Sequence, residues 1–446
     1  MTKEKRKKRR RKKKDFKRGI LLSFCGVLFA AVFVLIVFFL LQNPHILKRD
    51  SLEGEPKESG ETPGEEAEPE SEEGESQSAT EALVQETEAG TEPSAGEENN
   101  VEELLGTLTL EEKIAQMFVI TPEALTGIGQ VTAAGETTAS MLRQYPVGGL
   151  VYFEQNLQGE AQIKEMLENT QRYSLERIGL PIFLCVDEEG GTVARISGRG
   201  IMDLPSVDTM ASVGEQGEEA AYRTGAFIGG YLAELGFNVD FAPVADVAEN
   251  PDNTVVGTRA FSSDPSRAAE LVASFIEGMQ EEKILSAVKH FPGHGSTFED
   301  SHTSAAVSYK TLEELQECEF LPFQSGIEAG ADFVMAGHIS LPEVTEDYSP
   351  ASLSYPIITG LLRGVLGYDG VVITDGMNMA AVTEYYSAEE AAVRAVQAGV
   401  DIILMPQDFS SAYNGILNAV YEGRISQERI NESLSRILSL KIELMG

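Results

Sequence analysis

Between residues 101 and 446, short apolar runs rich in β-branched residues recur eight times, and this repetition narrows the possible folds more than any other feature. The runs fall at 117–120, 149–152, 182–186, 239–242, 286–289, 333–336, 371–374 and 402–405. Helical patterns at 161–178, 219–236, 266–283 and 312–330 lie between several of them. Strand–helix alternation repeated eight times predicts an α/β chain closed into a TIM-like (β/α)₈ barrel. A doubly wound open sheet is the rival, because periodicity by itself does not close a sheet.

Charged and polar residues collect where these runs end. Asp187 follows the third run, Asp240 and Asp246 lie in and after the fourth, and Lys289 and His290 end the fifth. His338 follows the sixth and Asp375 the seventh. A single Asp after a strand is commonly a cap or turn residue. Several on one rim match the C-terminal face where barrels build their sites.

The rest of the chain differs in kind. Residues 1–18 hold 13 Lys/Arg against 2 acids, and 19–41 is a run of 23 uncharged residues. At about 1.5 Å per residue such a helix crosses a bilayer's hydrocarbon core. The expectation is a basic cytoplasmic tail (1–18), a single transmembrane helix (19–41) and a catalytic domain outside the cell membrane. A cleaved signal peptide would have a shorter apolar region followed by a small-residue cleavage site, whereas Gln42-Asn43-Pro44 follows here. Within the linker 42–100, residues 51–100 hold 17 Glu and 1 Lys, a composition expected of a disordered, acidic, self-repelling tether. The domain 101–446 carries 19 basic and 51 acidic residues, which argues against nucleic acid as a partner. Cys185 and Cys318 read as free thiols rather than a disulfide framework.

Residues 289–302 read K-H-F-P-G-H-G-S-T-F-E-D-S-H and hold three of the chain's five histidines. A zinc site on His290 and His294 would need a helix, but Pro292 and Gly293 interrupt it and no acid follows the first His. No G-x-S-x-G elbow offers a serine nucleophile. No cofactor is expected. Asp300-Ser301-His302 places a carboxylate and an imidazole on the same side of an extended segment, where Asp300 can fix the ring's tautomer and raise its basicity. Asp375, followed by Gly376, ends an apolar strand. A carboxylate opposite an acid–base group suits glycosyl transfer through a covalent intermediate.

These stretches, together with V-D-E-E-G-G from Val186, G-F-N-V-D-F-A-P-V-A-D-V from Gly236, G-T-R-A-F from Gly257 and V-V-I-T-D-G-M-N-M from Val371, resemble glycoside hydrolase family 3 in its β-N-acetylhexosaminidase branch. The likeness spans essentially all of 101–446. It implies that Asp375 is the nucleophile and that His302, assisted by Asp300, is the acid–base. It also implies that Asp187, Arg195, Arg259, Lys289 and His290 hold the sugar in the −1 subsite. Gly376 stands where the family often has Ala or Asp. Larger β-glucosidase relatives carry a glutamate acid–base on a second domain, and the D-S-H segment is expected to serve instead. The implied activity is that of a retaining exo-β-N-acetylglucosaminidase on carbohydrate with a terminal β-linked N-acetylglucosamine, such as cell-wall fragments or muropeptides. A phosphorylase or β-glucosidase of the same family, or an inactive tethered wall-binding domain, are the alternatives.

Overall fold

The computed structural model describes residues 95–297 and 306–445. The expected transmembrane helix at 19–41 and most of the acidic linker therefore lie outside the described residues. Among the described residues, no helix is long and apolar enough to cross a membrane.

Eight parallel strands form one sheet: β1 (Phe118–Ile120), β2 (Gly149–Val151), β3 (Phe183–Val186), β4 (Val239–Asp240), β5 (Leu285–Phe291), β6 (Phe333–Ala336), β7 (Val371–Thr374) and β8 (Ile403–Leu404). Each pairs with the next in chain order from β1 to β7, and β8 pairs back onto β1 through Phe118↔Ile403 and Val119↔Leu404. The ring closes between β7 and β8, where Ile373 bridges Ile402 and the Asp401 and Ile402 N–H groups donate to the Val372 carbonyl at 2.8 and 3.0 Å. Closure decides for the barrel over the open sheet. All eight strands are buried throughout, which is why they appear in the sequence as continuous apolar runs rather than alternating ones. Phe183 of β3 meets Phe333 of β6 edge-on, ring centroids 5.4 Å apart.

The helices begin and end where local chemistry allows. The helix Glu160–Ile178 stops at Gly179, whose φ of 73° is the left-handed conformation glycine accepts without strain. The helix Pro265–Glu281 starts with Asp264 accepting from the Arg267 N–H and with proline in its first position. It packs closely on Glu218–Leu235 because Gly225 and Gly278 stand at the contact. A Cβ on either would sit 2.2 Å from a carbonyl oxygen of the facing helix. The pattern at 312–330 predicts one helix, and the structure has two, Leu312–Glu317 and Phe320–Glu328. The cause is Pro322, whose ring would strike the Cys318 carbonyl in a continuous helix; starting anew at Phe320 puts it in a first turn. Cys185 and Cys318 are both free thiols.

Below the barrel, Asp401 ties the ends together. One carboxylate oxygen accepts from Arg363 at 2.7 Å and the Val372 N–H at 2.9 Å, the other from Ser433 at 2.7 Å. The opposite rim, at the strands' C-terminal ends, is where Asp187, Lys289, His290, His338 and Asp375 stand.

Candidate active site

Strand β5 supplies two successive polar side chains. In a regular strand, neighbours point to opposite faces. Here the pairing with β6 shifts between Lys289 and Phe291, leaving His290 as an extra residue. Such a bulge re-aims side chains, and both Lys289 and His290 reach carboxylates. Lys289 Nζ lies 2.8 Å from Asp187 Oδ1 and 2.5 Å from Glu189 Oε1. Glu189 in turn receives Arg259 through two parallel bonds, Nε to Oε2 at 2.7 Å and Nη2 to Oε1 at 2.8 Å. Two cations and two carboxylates thus share one largely buried cluster.

Its ionisation follows from competition between burial and neighbours. Burial works against the Lys289 ammonium, but Asp187 and Glu189 more than offset it and raise its pKa. Burial likewise opposes the Arg259 charge, and Glu189 outweighs that too. Burial pushes the Glu189 carboxyl up, while Lys289 and Arg259 hold it well below the usual carboxylate range. All three remain charged at neutral pH.

His290 continues the network. Its Nδ1 donates to Asp246 Oδ2 at 2.8 Å, and its Nε2 lies 3.5 Å from Arg259 Nη2. Asp246 also accepts the backbone N–H of His294 at 2.6 Å. Asp375 follows β7 directly and is only partly exposed. Its N–H donates to the Ala336 carbonyl at 2.8 Å, and its Oδ1 accepts from the Gly376 N–H at 2.6 Å. Burial pushes its carboxyl up, but His290, His338, the Gly376 N–H and Lys289 together hold it below its ordinary value. His338 is anchored by Ser352 Oγ on Nδ1 at 2.8 Å and the Gly376 carbonyl on Nε2 at 3.1 Å. A carbonyl only accepts, so Nε2 carries a hydrogen.

Of the residues singled out in the sequence, Asp187, Arg259, Lys289 and His290 form one connected set, with Asp375 in their field. Arg195 stands apart from those contacts. Its guanidinium lies over the Phe153 ring, 5.8 Å from the centroid, and its Nε is buried with no hydrogen-bond partner among the described residues. Asp300 and His302 lie outside the described residues. Sequence reasoning missed Glu188 and Glu189 as site residues and placed Asp246 on the rim without a role. Glu189 clamps Lys289 and Arg259, and Asp246 orients His290. Glu188 accepts from the backbone N–H groups of Arg195, Ile196 and Ser197 and from the Tyr231 hydroxyl, fixing the segment that carries Arg195. The run Asp187-Glu188-Glu189 was the available signal, since three successive acids at a buried strand end need partners. Asp240, expected on the rim, is fully buried. It accepts from the Glu188 N–H at 2.9 Å, and burial pushes its carboxyl well up.

Two of the loop's histidines, His290 and His294, lie among the described residues, and each has one ring nitrogen bonded to a protein partner. His290 Nδ1 is taken by Asp246 and His294 Nδ1 by Thr297 Oγ1 at 2.8 Å, and their ring centroids are 6.1 Å apart. Among the described residues, Glu249, Cys318 and Glu319 alone bring three potential ligand atoms together, and Lys310 forms ion pairs with both glutamates.

Residues 109–440 match the family described as the glycosyl hydrolase family 3 N-terminal domain. The chain belongs to that family. It is 33% identical over 328 residues to a protein named β-hexosaminidase A of Pseudoalteromonas piscicida, covering 69% of this chain and 55% of the relative. A β-hexosaminidase of Pseudomonas aeruginosa is 34% identical over 272 residues, covering 61% of this chain and 79% of the relative. Among solved structures, a glycoside hydrolase family 3 β-N-acetylglucosaminidase from Paenibacillus sp. FPU-7 superposes with a TM-score of 0.71 at 37% identity. That match covers 75% of this chain and 62% of the other. The family 3 chain thus spans little more than half the length of the first of these relatives. With the family shown, the rim cluster sits where barrel enzymes carry out their chemistry.

Proposed function

We propose that this family 3 chain is a retaining exo-β-N-acetylglucosaminidase. The observation that carries the reading is Asp375, a carboxylate on the catalytic rim kept ionised beside the Asp187–Lys289–Glu189–Arg259 cluster. The names of its hexosaminidase relatives support the choice of sugar.

In this mechanism Asp375 attacks the anomeric carbon while His302, oriented by Asp300, protonates the leaving oxygen. The resulting glycosyl-enzyme is then opened by water that has lost its proton to His302. Asp187 is bonded to Lys289 through one oxygen and is 20% exposed, so its carboxylate can also accept from sugar hydroxyls. Arg195 brings an unpaired N–H to the same task, and Lys289, Arg259 and His290 complete the hold on the sugar. These contacts tighten as positive charge develops on the ring, which is where binding energy becomes rate. The substrate is a glycan or muropeptide of cell-wall origin, met outside the cell by a domain tethered through residues 19–41.

A chromogenic β-N-acetylglucosaminide should be cleaved far faster than the corresponding β-glucoside, with no requirement for phosphate. Proton NMR should show the β-anomer of the free sugar appearing first. The α-anomer as first product would overturn the nucleophile assignment, and strict dependence on phosphate would turn the reading into phosphorolysis. Protease treatment of intact cells should release active enzyme; protection until lysis would refute the outside location.

A further inference from the structure

The backbone around Asp375 is held from two sides. On one side stands the end of β6. The Ala336 carbonyl accepts the Asp375 N–H at 2.8 Å, and two positions on, His338 Nε2 donates to the Gly376 carbonyl at 3.1 Å. On the other side stands β8, whose Leu404 carbonyl accepts the Met377 N–H at 2.9 Å. The contacts at Asp375 and Met377 are backbone pairs of the kind parallel strands make. The contact between them comes from a side chain, and it falls on the residue directly after Asp375.

His338 is itself fixed. It is buried, and its Nδ1 lies 2.8 Å from the Oγ of Ser352, which is also buried. The Ser352 N–H in turn donates to the Gly337 carbonyl at 3.2 Å. With its hydrogen on Nε2, the neutral ring has a bare Nδ1 that accepts the Ser352 hydroxyl. A buried ring bonded at both nitrogens cannot turn without losing one bond, so its N–H keeps one direction.

The effect on the carboxylate passes through Gly376. Its N–H donates to Asp375 Oδ1 at 2.6 Å, and its carbonyl receives His338. That carbonyl also accepts the Met379 N–H at 3.0 Å, so His338 is not needed to satisfy the oxygen. What His338 supplies is direction. Glycine has the freest backbone of all residues, and pinning its carbonyl also restricts where its N–H points. Oδ1 is engaged by that N–H, and Oδ2 has no hydrogen bond among the described residues, so Oδ2 is the oxygen presented for attack.

We infer that His338 is a positioning residue for the nucleophile. Through the Gly376 carbonyl it fixes the residue whose N–H holds Asp375 Oδ1, and so aims Oδ2 at the anomeric carbon. This rests on the assignment of Asp375 as nucleophile above.

Two variants of the full chain separate the two edges of the imidazole. His338→Gln places an amide N–H near the position of Nε2, within reach of the Gly376 carbonyl. His338→Asn places its amide near Nδ1, where it serves Ser352 alone. Misaimed reacting groups cost rate rather than affinity, up to about 100-fold for a displacement of about 1 Å. On phenyl β-N-acetylglucosaminide, His338→Asn should therefore lower kcat about 10- to 100-fold with KM within about threefold of wild type. On the dinitrophenyl glycoside kcat/KM should fall by the same factor, whereas lost acid catalysis would fall mainly on the phenyl substrate. His338→Gln should stay within about fivefold of wild type on both substrates. His338→Asn within about twofold of wild type, a loss confined to KM, or His338→Gln as impaired as His338→Asn overturns the proposal. Should His338→Asn fail to fold in urea titrations, Ser352→Ala decides, because it frees the ring at Nδ1 without removing the donor to Gly376. A lower kcat on the phenyl substrate at unchanged KM then supports the role, and an unchanged kcat overturns it. A wild type that cleaves neither substrate refutes the nucleophile assignment and the positioning role with it. An active wild type with indifferent His338 variants refutes the positioning role alone.

Discussion

Replacing Glu189 by glutamine tests whether the buried charge cluster is what holds the candidate site together. Glu189 is 2% exposed and takes three charged donors, Arg259 Nε at 2.7 Å, Arg259 Nη2 at 2.8 Å and Lys289 Nζ at 2.5 Å. Glutamine keeps the shape but removes the charge, and its amide nitrogen must face one of those donors. Lys289 retains Asp187, whereas Arg259 retains the Val255 carbonyl at 2.9 Å and the His290 ring at 3.5 Å but no ion pair among the described residues, so Arg259 is the side chain set loose. Removing one partner of a buried ion pair costs about 3–5 kcal/mol, because the surviving charge stays desolvated. That is a large share of a typical stability of about 5–15 kcal/mol. In urea titrations the midpoint should fall with unchanged slope. The pH dependence provides a second check. The folded-state pKa of Glu189 lies below its unfolded value, so its stabilisation is fully present above about pH 5 and is lost as pH falls toward the folded value. The stability gap between wild type and Glu189→Gln should therefore be flat from pH 8 to 5 and narrower by about 1 kcal/mol near pH 3.5. A gap under about 1 kcal/mol at pH 7, or one that does not narrow in acid, would refute the reasoning.

Three further outcomes are expected. Asp375→Ala should lose about 10³-fold or more in turnover, and a slow fluorinated substrate should label the wild-type peptide 371–379; labelling elsewhere would move the nucleophile. His302→Ala should impair glycosides with poor leaving groups far more than activated ones, Asp300→Ala should do so less severely, and a strong chelator should change neither enzyme; activity lost on chelation and restored by zinc would favour a metal site instead. Lys441 Nζ is buried against the Gly148 and Pro181 carbonyls, and burial pushes its pKa down to about 7. Because the unfolded chain then binds more protons, wild type should gain stability relative to Lys441→Met as pH rises from about 7 toward 10, and a pH-independent difference in urea titrations would show that the ammonium is not strained.

The eight strands were legible because a strand buried on both faces is apolar at nearly every position outside the site, and that pattern survives any rearrangement of its neighbours. The break at Cys318 was legible in principle from Pro322, but the apolar pattern on both sides of it is helical and masks the interruption. The pairing of charges was not legible. Asp187, Glu188 and Glu189 are consecutive, yet one faces Lys289 at the rim, one is spent on three backbone N–H groups, and one lies between Lys289 and Arg259. Their partners lie up to 102 positions away, and no local spacing encodes which acid meets which base. A bulge adds to the difficulty, since at Lys289 and His290 the alternation that would assign faces from sequence no longer holds.

Gly376 shows the opposite relation between sequence and site. It departs from the residue types the family resemblance leads one to expect, which suggests a perturbed site. The contact it makes with Asp375 is through its backbone N–H, which every residue but proline supplies. A Cβ there would meet Asn378 Oδ1 at 3.0 Å and Met405 Cε at 3.1 Å, both ends of side chains that can give way. The left-handed backbone that demands glycine is not used at this position. Thus the feature that supports an ionised Asp375 is independent of the side chain at 376. Gly376→Ala should leave the acid limb of the pH–rate profile in place while its neighbours adjust. A limb shifted upward by a full pH unit in that variant would mean that glycine is required to keep the carboxylate charged, and that variation at this position is not neutral.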